Sequence, residues 1–578
     1  MCGILGFSFF KANQKLSSRI LGLKKYIAHR GPDNSGFFIN NNLTLLHTRL
    51  SIIDLKSGSQ PITNDKYVLI ANGEIYNDIE IRKANKTYKY STNSDSESIL
   101  ALYENYGLDG FKKLRGMYAF ALYDKISDEL IICRDEFGIK PLYFSLHNEG
   151  LIFCSEVKPI EIFKSEALNL SCHKIKEYMQ LQYCSGTQTI YKGINRVAPG
   201  QILVIKRGKI FKSFINPLPK KKVVPKVDDN FINNSLIESI SSHLRSDVPY
   251  CIFFSGGIDS MLLLHYLKVL KKDKVKAFSI SFNDEPNIDI KKIADKYSID
   301  LVTETFSEDD FWEWIFFAAE NIDEPVADYA ILPTFKLASI ASKEFKVVIT
   351  GEGGDELFGG YGRYKKAQRF FPKRNFLSSK GAFKNIFSDK KFANWDYDIK
   401  SNFRSFNKNS HTRLQNYQLF DYENWLPNDL LLKLDRCLMT FGMEGRTPFV
   451  DKRLFEKLFY VKDGEKINRG FGKYFIRKFL KEQIPFYNSF EKKRGFSVPI
   501  YEWIPNKIKQ LQDLLLKQKF LNKYFNSYEL KLLCRKVEKN RKFARPLWHI
   551  IFFTAWYLVN IKGTKRRGNF FDVLSEYK

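Results

Sequence analysis

Short apolar stretches punctuate the first third of the chain: residues 43–46, 67–71, 117–123, 130–133, 151–154 and 201–205 are apolar or alternate apolar with polar. Polar turns such as Lys125-Ile126-Ser127-Asp128 and Arg207-Gly208 join them. Runs of this length bounded by turn chemistry predict strands and hairpins, so residues 1–210 read as a sheet-rich domain with one good helix. The pattern breaks over 211–230, where Asn216-Pro217-Leu218-Pro219 is followed by lysines and Pro225. Proline fixes φ and donates no backbone hydrogen bond, so this stretch is predicted to be a linker.

Helix-like periods at 231–244, 260–270 and 290–297 then alternate with apolar strands at 250–254, 276–282 and 346–350. That alternation predicts a parallel sheet covered by helices on both faces. Ligands of such sheets gather beyond the carboxyl ends of the strands, which directs attention to the turns after Phe254 and Thr350. Beyond Tyr361 the chain is polar, aromatic and mostly helical in pattern, and this second domain is expected to occupy 231–578. The late apolar stretch 546–561 is shorter than the ~20 residues a bilayer-spanning helix needs and contains His549 and Asn560. It predicts a buried helix and no stable membrane insertion.

With 578 residues the chain has room for more than one core, and 44% hydrophobic with 27% charged residues excludes a disordered chain. Lys and Arg number 92 against 64 Asp and Glu, a formal charge of +28. A polyanionic partner would suit that sign. No block of five or more basic residues occurs, so the charge reads as a diffuse lysine excess and no nucleic-acid partner is expected. Eight cysteines without a Cys-x-x-Cys pair, and no basic, apolar leader in the first ten residues, predict a cytoplasmic protein.

Two glycine-rich turns carry the first chemistry. Ser255-Gly256-Gly257-Ile258-Asp259-Ser260 follows an apolar strand and opens a helix, where backbone N–H groups and hydroxyls can cradle an anion. It lacks the Gly-Lys-Ser/Thr of a Walker A loop and resembles the pyrophosphate loop of ATP pyrophosphatases. Thr350-Gly351-Glu352-Gly353-Gly354-Asp355-Glu356 gathers three acidic residues in a second turn after a strand. Such crowding of like charge calls for cations, so Asp259 and Asp355 are candidate Mg²⁺ ligands and Glu352 a candidate base.

At the amino terminus, Cys2 would become the first residue once the initiator methionine is removed, combining a thiol with an α-amine able to act as its base. Asn72-Gly73-Glu74 ends a predicted strand and offers an amide and a glycine N–H as an oxyanion hole. Arg49 supplies a fork for a carboxylate and Asp95 an anion for an ammonium.

These residues resemble glutamine-dependent asparagine synthetases and their close amidotransferase relatives. The matching pieces include Met1-Cys2-Gly3-Ile4, His29-Arg30-Gly31-Pro32-Asp33, Arg49-Leu50-Ser51-Ile52-Ile53-Asp54, Asn72-Gly73-Glu74-Ile75-Tyr76-Asn77 and Gly138-Ile139-Lys140-Pro141-Leu142-Tyr143. The two glycine turns, Phe358-Gly359-Gly360-Tyr361 and Arg446-Thr447-Pro448-Phe449-Val450-Asp451 follow in family order.

The resemblance implies an α/β and α+β multidomain protein: an N-terminal-nucleophile αββα glutaminase sandwich followed by a synthetase domain of the ATP pyrophosphatase type. It gives Cys2 the attack on glutamine, Arg49, Glu74 and Asp95 the grip on glutamine, and Asn72 with Gly73 the oxyanion. It assigns Phe253, Ser255, Gly256, Gly257, Asp259, Ser260, Ile280, Thr350 and Gly351 to ATP, Asp259 and Asp355 to Mg²⁺, Glu352 to catalysis and Lys473 to phosphate charge. Ammonia would travel inside the protein to an acyl-adenylate of aspartate, and homodimers occur in the family. Two segments depart from asparagine synthetases proper: Asp323-Glu324-Pro325-Val326-Ala327-Asp328 with Pro333-Thr334, and Arg494-Gly495-Phe496-Ser497-Val498-Pro499. They resemble the branch acting on other carboxylates, such as sugar uronates of surface polysaccharides, which is the alternative acceptor class. An RNA-modifying role, suggested by the charge, leaves Cys2 and Asn72-Gly73 unexplained.

Overall fold

The computed structural model describes residues 2–164, 169–218, 228–270, 275–282, 288–367, 382–383, 385–387, 396, 399–400, 411–491 and 498–577. The period-two alternation of the first domain resolves into two antiparallel sheets packed face to face. Numbered in chain order, one contains β1 (Cys2–Phe9), β2 (Asn34–Ile39), β3 (Leu43–Arg49), β8 (Tyr143–His147), β9 (Gly150–Cys154) and β10 (Asn195–Arg196), in the order β10-β8-β9-β1-β3-β2. The other contains β4 (Ile62–Thr63), β5 (Tyr67–Ile75), β6 (Gly116–Asp124), β7 (Glu129–Arg134), β11 (Gln201–Lys206) and β12 (Lys209–Ile215), in the order β12-β11-β7-β6-β5-β4. On β1, Ile4 joins the core between the sheets, whereas Leu5, Phe7 and Phe9 pack outward among helices. On β5, Val68 and Ile70 lie between the sheets and Leu69 and Ala71 meet Ile99 and Leu102 of the helix Glu97–Tyr106. Burial on both faces of both sheets makes the layering αββα.

Two expectations for this domain need correction. One good helix was expected, yet helices form at Gln14–Gly22, Asp78–Ala84, Glu97–Tyr106, Val157–Lys164 and Cys172–Leu181. Helices this short gain their stability from the sheet faces they cover, which leaves only a faint periodic signal in the chain. The linker was expected from 211, yet β12 continues to Ile215, exposed at every residue. An edge strand needs a ladder partner, here β11, and no buried face. Residues 219–227 of the expected linker, and Arg494 to Ser497, lie outside the described residues.

The third sheet is parallel, with β13 (Tyr250–Phe253), β14 (Lys276–Ser281), β15 (Asp300–Thr305), β16 (Val347–Ile349) and β17 (Glu444–Arg446) in the order β15-β14-β13-β16-β17. Helix Asp229–His243 leads into it, and helices Ile258–Leu270, Ile288–Tyr297, Glu308–Asn321 and Ile331–Ala341 lie in its connections. The apolar pattern foretold neither β15, a polar edge strand, nor β17, whose three residues Glu-Gly-Arg are all buried. The helix Ala544–Asn560 is buried as expected: Trp548 Nε1 donates to the Ala327 carbonyl at 2.9 Å and Asn560 Nδ2 to that of Ala319 at 2.8 Å. Among the described residues no helix is long and apolar enough to cross a membrane.

The sandwich and the parallel-sheet domain meet through buried bidentate ion pairs. Arg30 reaches the two oxygens of Asp435 at 2.8 and 3.0 Å, and Arg115 those of Asp451 at 2.8 and 3.0 Å. Arg436 joins Asp323 at 3.1 Å and Glu156 at 3.3 Å. Planar two-point pairing sets the orientation of one domain on the other.

Candidate active sites

The first site forms where β1, β3 and β5 come together. Cys2 opens β1 and sits in register with Arg49 on β3. The Cys2 backbone N–H donates to Asn72 Oδ1 at 3.0 Å. Asn72 is fully buried, and its Nδ2 has no hydrogen-bond partner. A buried amide N–H left unpaired is costly unless a ligand completes it, so Nδ2 is left as a free hydrogen-bond donor for whatever enters the pocket. Gly73 holds φ +143°, and a Cβ there would lie 1.9 Å from the Met117 carbonyl oxygen of its paired strand β6, so this position admits only glycine. Arg49 is buried, and its Nη2 donates to the carbonyls of Asp54 at 2.6 Å and Ile53 at 3.3 Å, which tethers the loop over the site.

Acidic groups complete this pocket. Asp95 Oδ2 accepts the Ile75 N–H at 2.5 Å, and burial nevertheless raises its carboxyl to about 6. Burial, with the negative charge of Asp95 and Glu444 nearby, pushes Glu74 well above the usual carboxylate range. Arg446 Nη2 lies 3.5 Å from Glu74 Oε1 and opposes that rise. Burial likewise pushes the Cys2 thiol up, against the pull of the Leu50 N–H and the Arg49 charge.

The second site is a cavity of about 980 Å³ beyond the carboxyl ends of β13, β14 and β16. Every residue assigned to the synthetase half borders it: Phe253, Ile280, the loop residues Ser255, Gly256, Gly257, Asp259 and Ser260, the turn residues Thr350, Gly351, Glu352 and Asp355, and Lys473. Ser255 and Ser260 hydroxyls lie 3.2 Å apart and Ser260 Oγ accepts the Ser255 N–H at 3.3 Å, which folds the loop into a cup. Lys473 Nζ bridges Asp259 Oδ2 at 2.5 Å and Asp355 Oδ1 at 2.7 Å. Burial works against its charge, but the two carboxylates win and hold it above its ordinary value. Glu352 is pushed up by burial, and Lys433, 3.6 Å away, pulls it down.

The donor set fits a Mg²⁺ ion. Asp259 Oδ1 is buried without a hydrogen-bond partner, and a Cβ on Gly354 would approach it to 2.5 Å, so the turn keeps that oxygen's face open. Among the described residues no group of three or more His, Cys, Asp or Glu could hold a metal. Two carboxylates with the remaining positions left to phosphate and water is the usual magnesium arrangement.

Residues 1–214 match the family model described as glutamine amidotransferase domain, and residues 232–558 match asparagine synthase. The chain belongs to the asparagine synthase family. A Bacillus subtilis protein named asparagine synthetase 1 (glutamine-hydrolyzing) is 30% identical over 621 residues, covering 97% of both chains. Escherichia coli asparagine synthetase B is 28% identical over 533 residues, 87% of this chain and 83% of its own. A Zea mays asparagine synthetase is also 28% identical over 533 residues, with 87% and 79% covered.

Sequence reasoning about this asparagine synthase family member missed Glu444 and Arg446 on β17, which reach the Cys2 pocket from the second domain, and Lys433, which faces Glu352. Arg446 stood in a matched motif without a role, and Asp328, ion-paired to Lys433 at 2.8 Å, stood in a segment noted only as a departure. Lys433 carried no signal, since a lysine in a helical stretch reads as solvated.

Proposed function

We propose that the protein is a glutamine-dependent asparagine synthetase. Cys2 Sγ attacks the glutamine side-chain amide, Asn72 Nδ2 and the Gly73 N–H receive the oxyanion, and ammonia leaves while water later frees glutamate from the thioester. In the large cavity the side-chain carboxylate of aspartate attacks the α-phosphorus of ATP, and pyrophosphate departs into the Ser255–Ser260 cup. Ammonia then attacks the adenylated carbonyl, Glu352 takes its proton, and AMP leaves asparagine behind. Asp259 and Asp355 would hold magnesium, which when bound neutralises phosphate charge, and Lys473 adds a compact positive charge beside it.

The observation that carries this reading is the sharing of one sheet by two sites. β16 runs into the turn bearing Glu352 and Asp355, while its hydrogen-bonded neighbour β17 sends Arg446 to Glu74 in the Cys2 pocket. Ammonium in bulk water at neutral pH is no nucleophile, so a protected passage across this seam supplies the neutral amine. For the acceptor, Lys433 and Asp328 set a cation and an anion 2.8 Å apart on the cavity wall beside Glu352. That pair suits the α-carboxylate and α-ammonium of aspartate. The eight free cysteines fit a reducing cytoplasm.

The test is AMP release with ATP, Mg²⁺ and either glutamine or ammonium, scanning acceptors. Aspartate-dependent AMP equal to the asparagine formed is the expected outcome. AMP release with a sugar uronate and none with aspartate would reassign the acceptor.

A further inference from the structure

A buried lysine at the seam between the domains, Lys140, makes no hydrogen bond or ion pair among the described residues. Asp135 accepts the N–H groups of Ile139 and Lys140 at 2.9 and 3.0 Å, and Arg134 Nε donates to the Lys140 carbonyl at 2.7 Å, so the backbone at Lys140 is pinned. The residue is 2% exposed. The charged groups that face it are Glu444 on β17, Asp435 on the helix Leu431–Met439, Arg30, and Asp135 in its own turn. Each of these anions is already engaged: Asp435 by both nitrogens of Arg30, Glu444 by Arg446 Nε at 2.6 Å, and Asp135 by the N–H groups of the turn. Lys140 is therefore a positive charge held at the seam with little exposure, where burial draws its ammonium below its ordinary range, an expensive arrangement that packing alone does not require.

The lysine borders a small cavity of about 10 Å³, roughly the room of a single water molecule and hence of one ammonia. Its opposite walls are Leu431, Leu434 and Asp435 of the second domain, and Gly445 of β17. Leu434 also borders the nucleotide cavity, and Gly445 lies between Glu444 and Arg446, which face the Cys2 pocket. The space thus stands between the two sites.

We propose that Lys140 is the charge filter of the ammonia passage. Ammonia and ammonium differ too little in size for a one-molecule space to sort them, whereas a fixed cation in a low-dielectric wall repels ammonium and hydronium and lets the neutral amine by. Without it the wall holds only carboxylates already balanced by Arg30, Arg446 and the N–H groups of the turn, and no unpaired cation opposes the entry of ammonium.

This inference rests on the two-site reading, and the experiment separates the two. The full-length enzyme is given glutamine labelled with ¹⁵N in its amide, in a bath of unlabelled ammonium, and the label in asparagine and the ratio of asparagine to glutamate are measured. The wild-type enzyme is expected to incorporate mostly label; if its product follows the bath, the passage itself is absent and both readings fall. Lys140→Met is expected to lose coupling by on the order of tenfold, while glutamine hydrolysis and synthesis from added ammonia persist and report intact folding. Lys140→Arg is expected to keep the coupling, which a mere loss of shape would not predict. A Met variant that couples like the wild type, or an Arg variant as uncoupled as Met, overturns the filter and leaves the passage standing. Should the Met variant not fold, Lys140→Gln takes its place under the same criteria.

Discussion

Asn72 offers a sharp division between ground-state structure and transition-state chemistry, because its two amide atoms do different things. Oδ1 accepts the Cys2 N–H at 3.0 Å, while Nδ2 has no partner in the resting protein. Asn72→Asp keeps the acceptor and removes the donor, so the strand geometry around Cys2 survives while the oxyanion loses one of its two hydrogen bonds. Removal of such a donor costs about 2.7–4 kcal/mol in the transition state, which is roughly a 100- to 1000-fold fall in kcat. The KM for glutamine should move by no more than a few-fold, since the group is unused before the carbonyl becomes tetrahedral. Asn72→Ala removes both atoms, and burying an unsatisfied Cys2 N–H costs roughly 1–3 kcal/mol. Asn72→Asp keeps that acceptor but adds a carboxylate beside the crowded Glu74 and Asp95, so thermal unfolding should register a loss for both variants and only the kinetic effect is specific to the lost donor. The assay is glutamate release under saturating glutamine, with ammonia-dependent synthesis as the control. A kcat for Asn72→Asp within a factor of about three of wild type would refute the oxyanion assignment.

Other outcomes follow from the same geometry. Cys2→Ala should abolish glutamine hydrolysis and leave synthesis from added ammonium intact, and loss of both together would contradict separate sites. Glu352→Gln should do the reverse, keeping glutamate release and stopping amide formation, as followed by product analysis. Asp95, whose carboxyl burial raises to about 6, must be ionised to receive the glutamine ammonium. Glutamine kcat/KM should therefore be full above that pH and fall as the pH drops through it, a limb that Asp95→Asn should erase. The raised value also means that the folded state binds a proton the unfolded chain has released, so between the ordinary carboxylate range and pH 6 this group lowers stability as pH rises. Arg30→Ala would take the bidentate partner from Asp435 and one cation from Glu156, leaving both to share Arg436 at 3.3 Å, and urea unfolding should show a loss of up to about 3–5 kcal/mol; a change under about 1 kcal/mol would make the pair dispensable.

Much of the fold was legible because burial on two faces writes itself into the chain. Strands β3, β5, β6, β7, β9 and β11 of the sandwich, with β13, β14 and β16, showed as apolar runs since their side chains enter cores on both sides, whereas β1, although buried throughout, and β2, β4, β8 and β10 were not anticipated. β12 and β17 escaped for the opposite reason: β12 is held by backbone ladder bonds at an exposed edge, and β17 is buried through the charges of Glu444 and Arg446. The short helices of the sandwich escaped because their stability lies in the sheets they cover.

The candidate sites divide along the same line. The amino-acid sequence by itself marked out the two glycine turns and the Asn72-Gly73 step, since a backbone that must approach an anion or a neighbouring strand admits few residue types, and it offered Cys2 and Glu352 as candidates, while Lys473 came only from the family resemblance. Only the tertiary structure decided that Arg446 faces Glu74, that Lys433 lies 3.6 Å from Glu352, and that Lys140, without a hydrogen bond or ion pair among the described residues, borders a small cavity between two pockets. A charge acquires a role from whichever groups lie within a few ångströms of it and from how little water remains, and both are set by which distant segments the fold brings together.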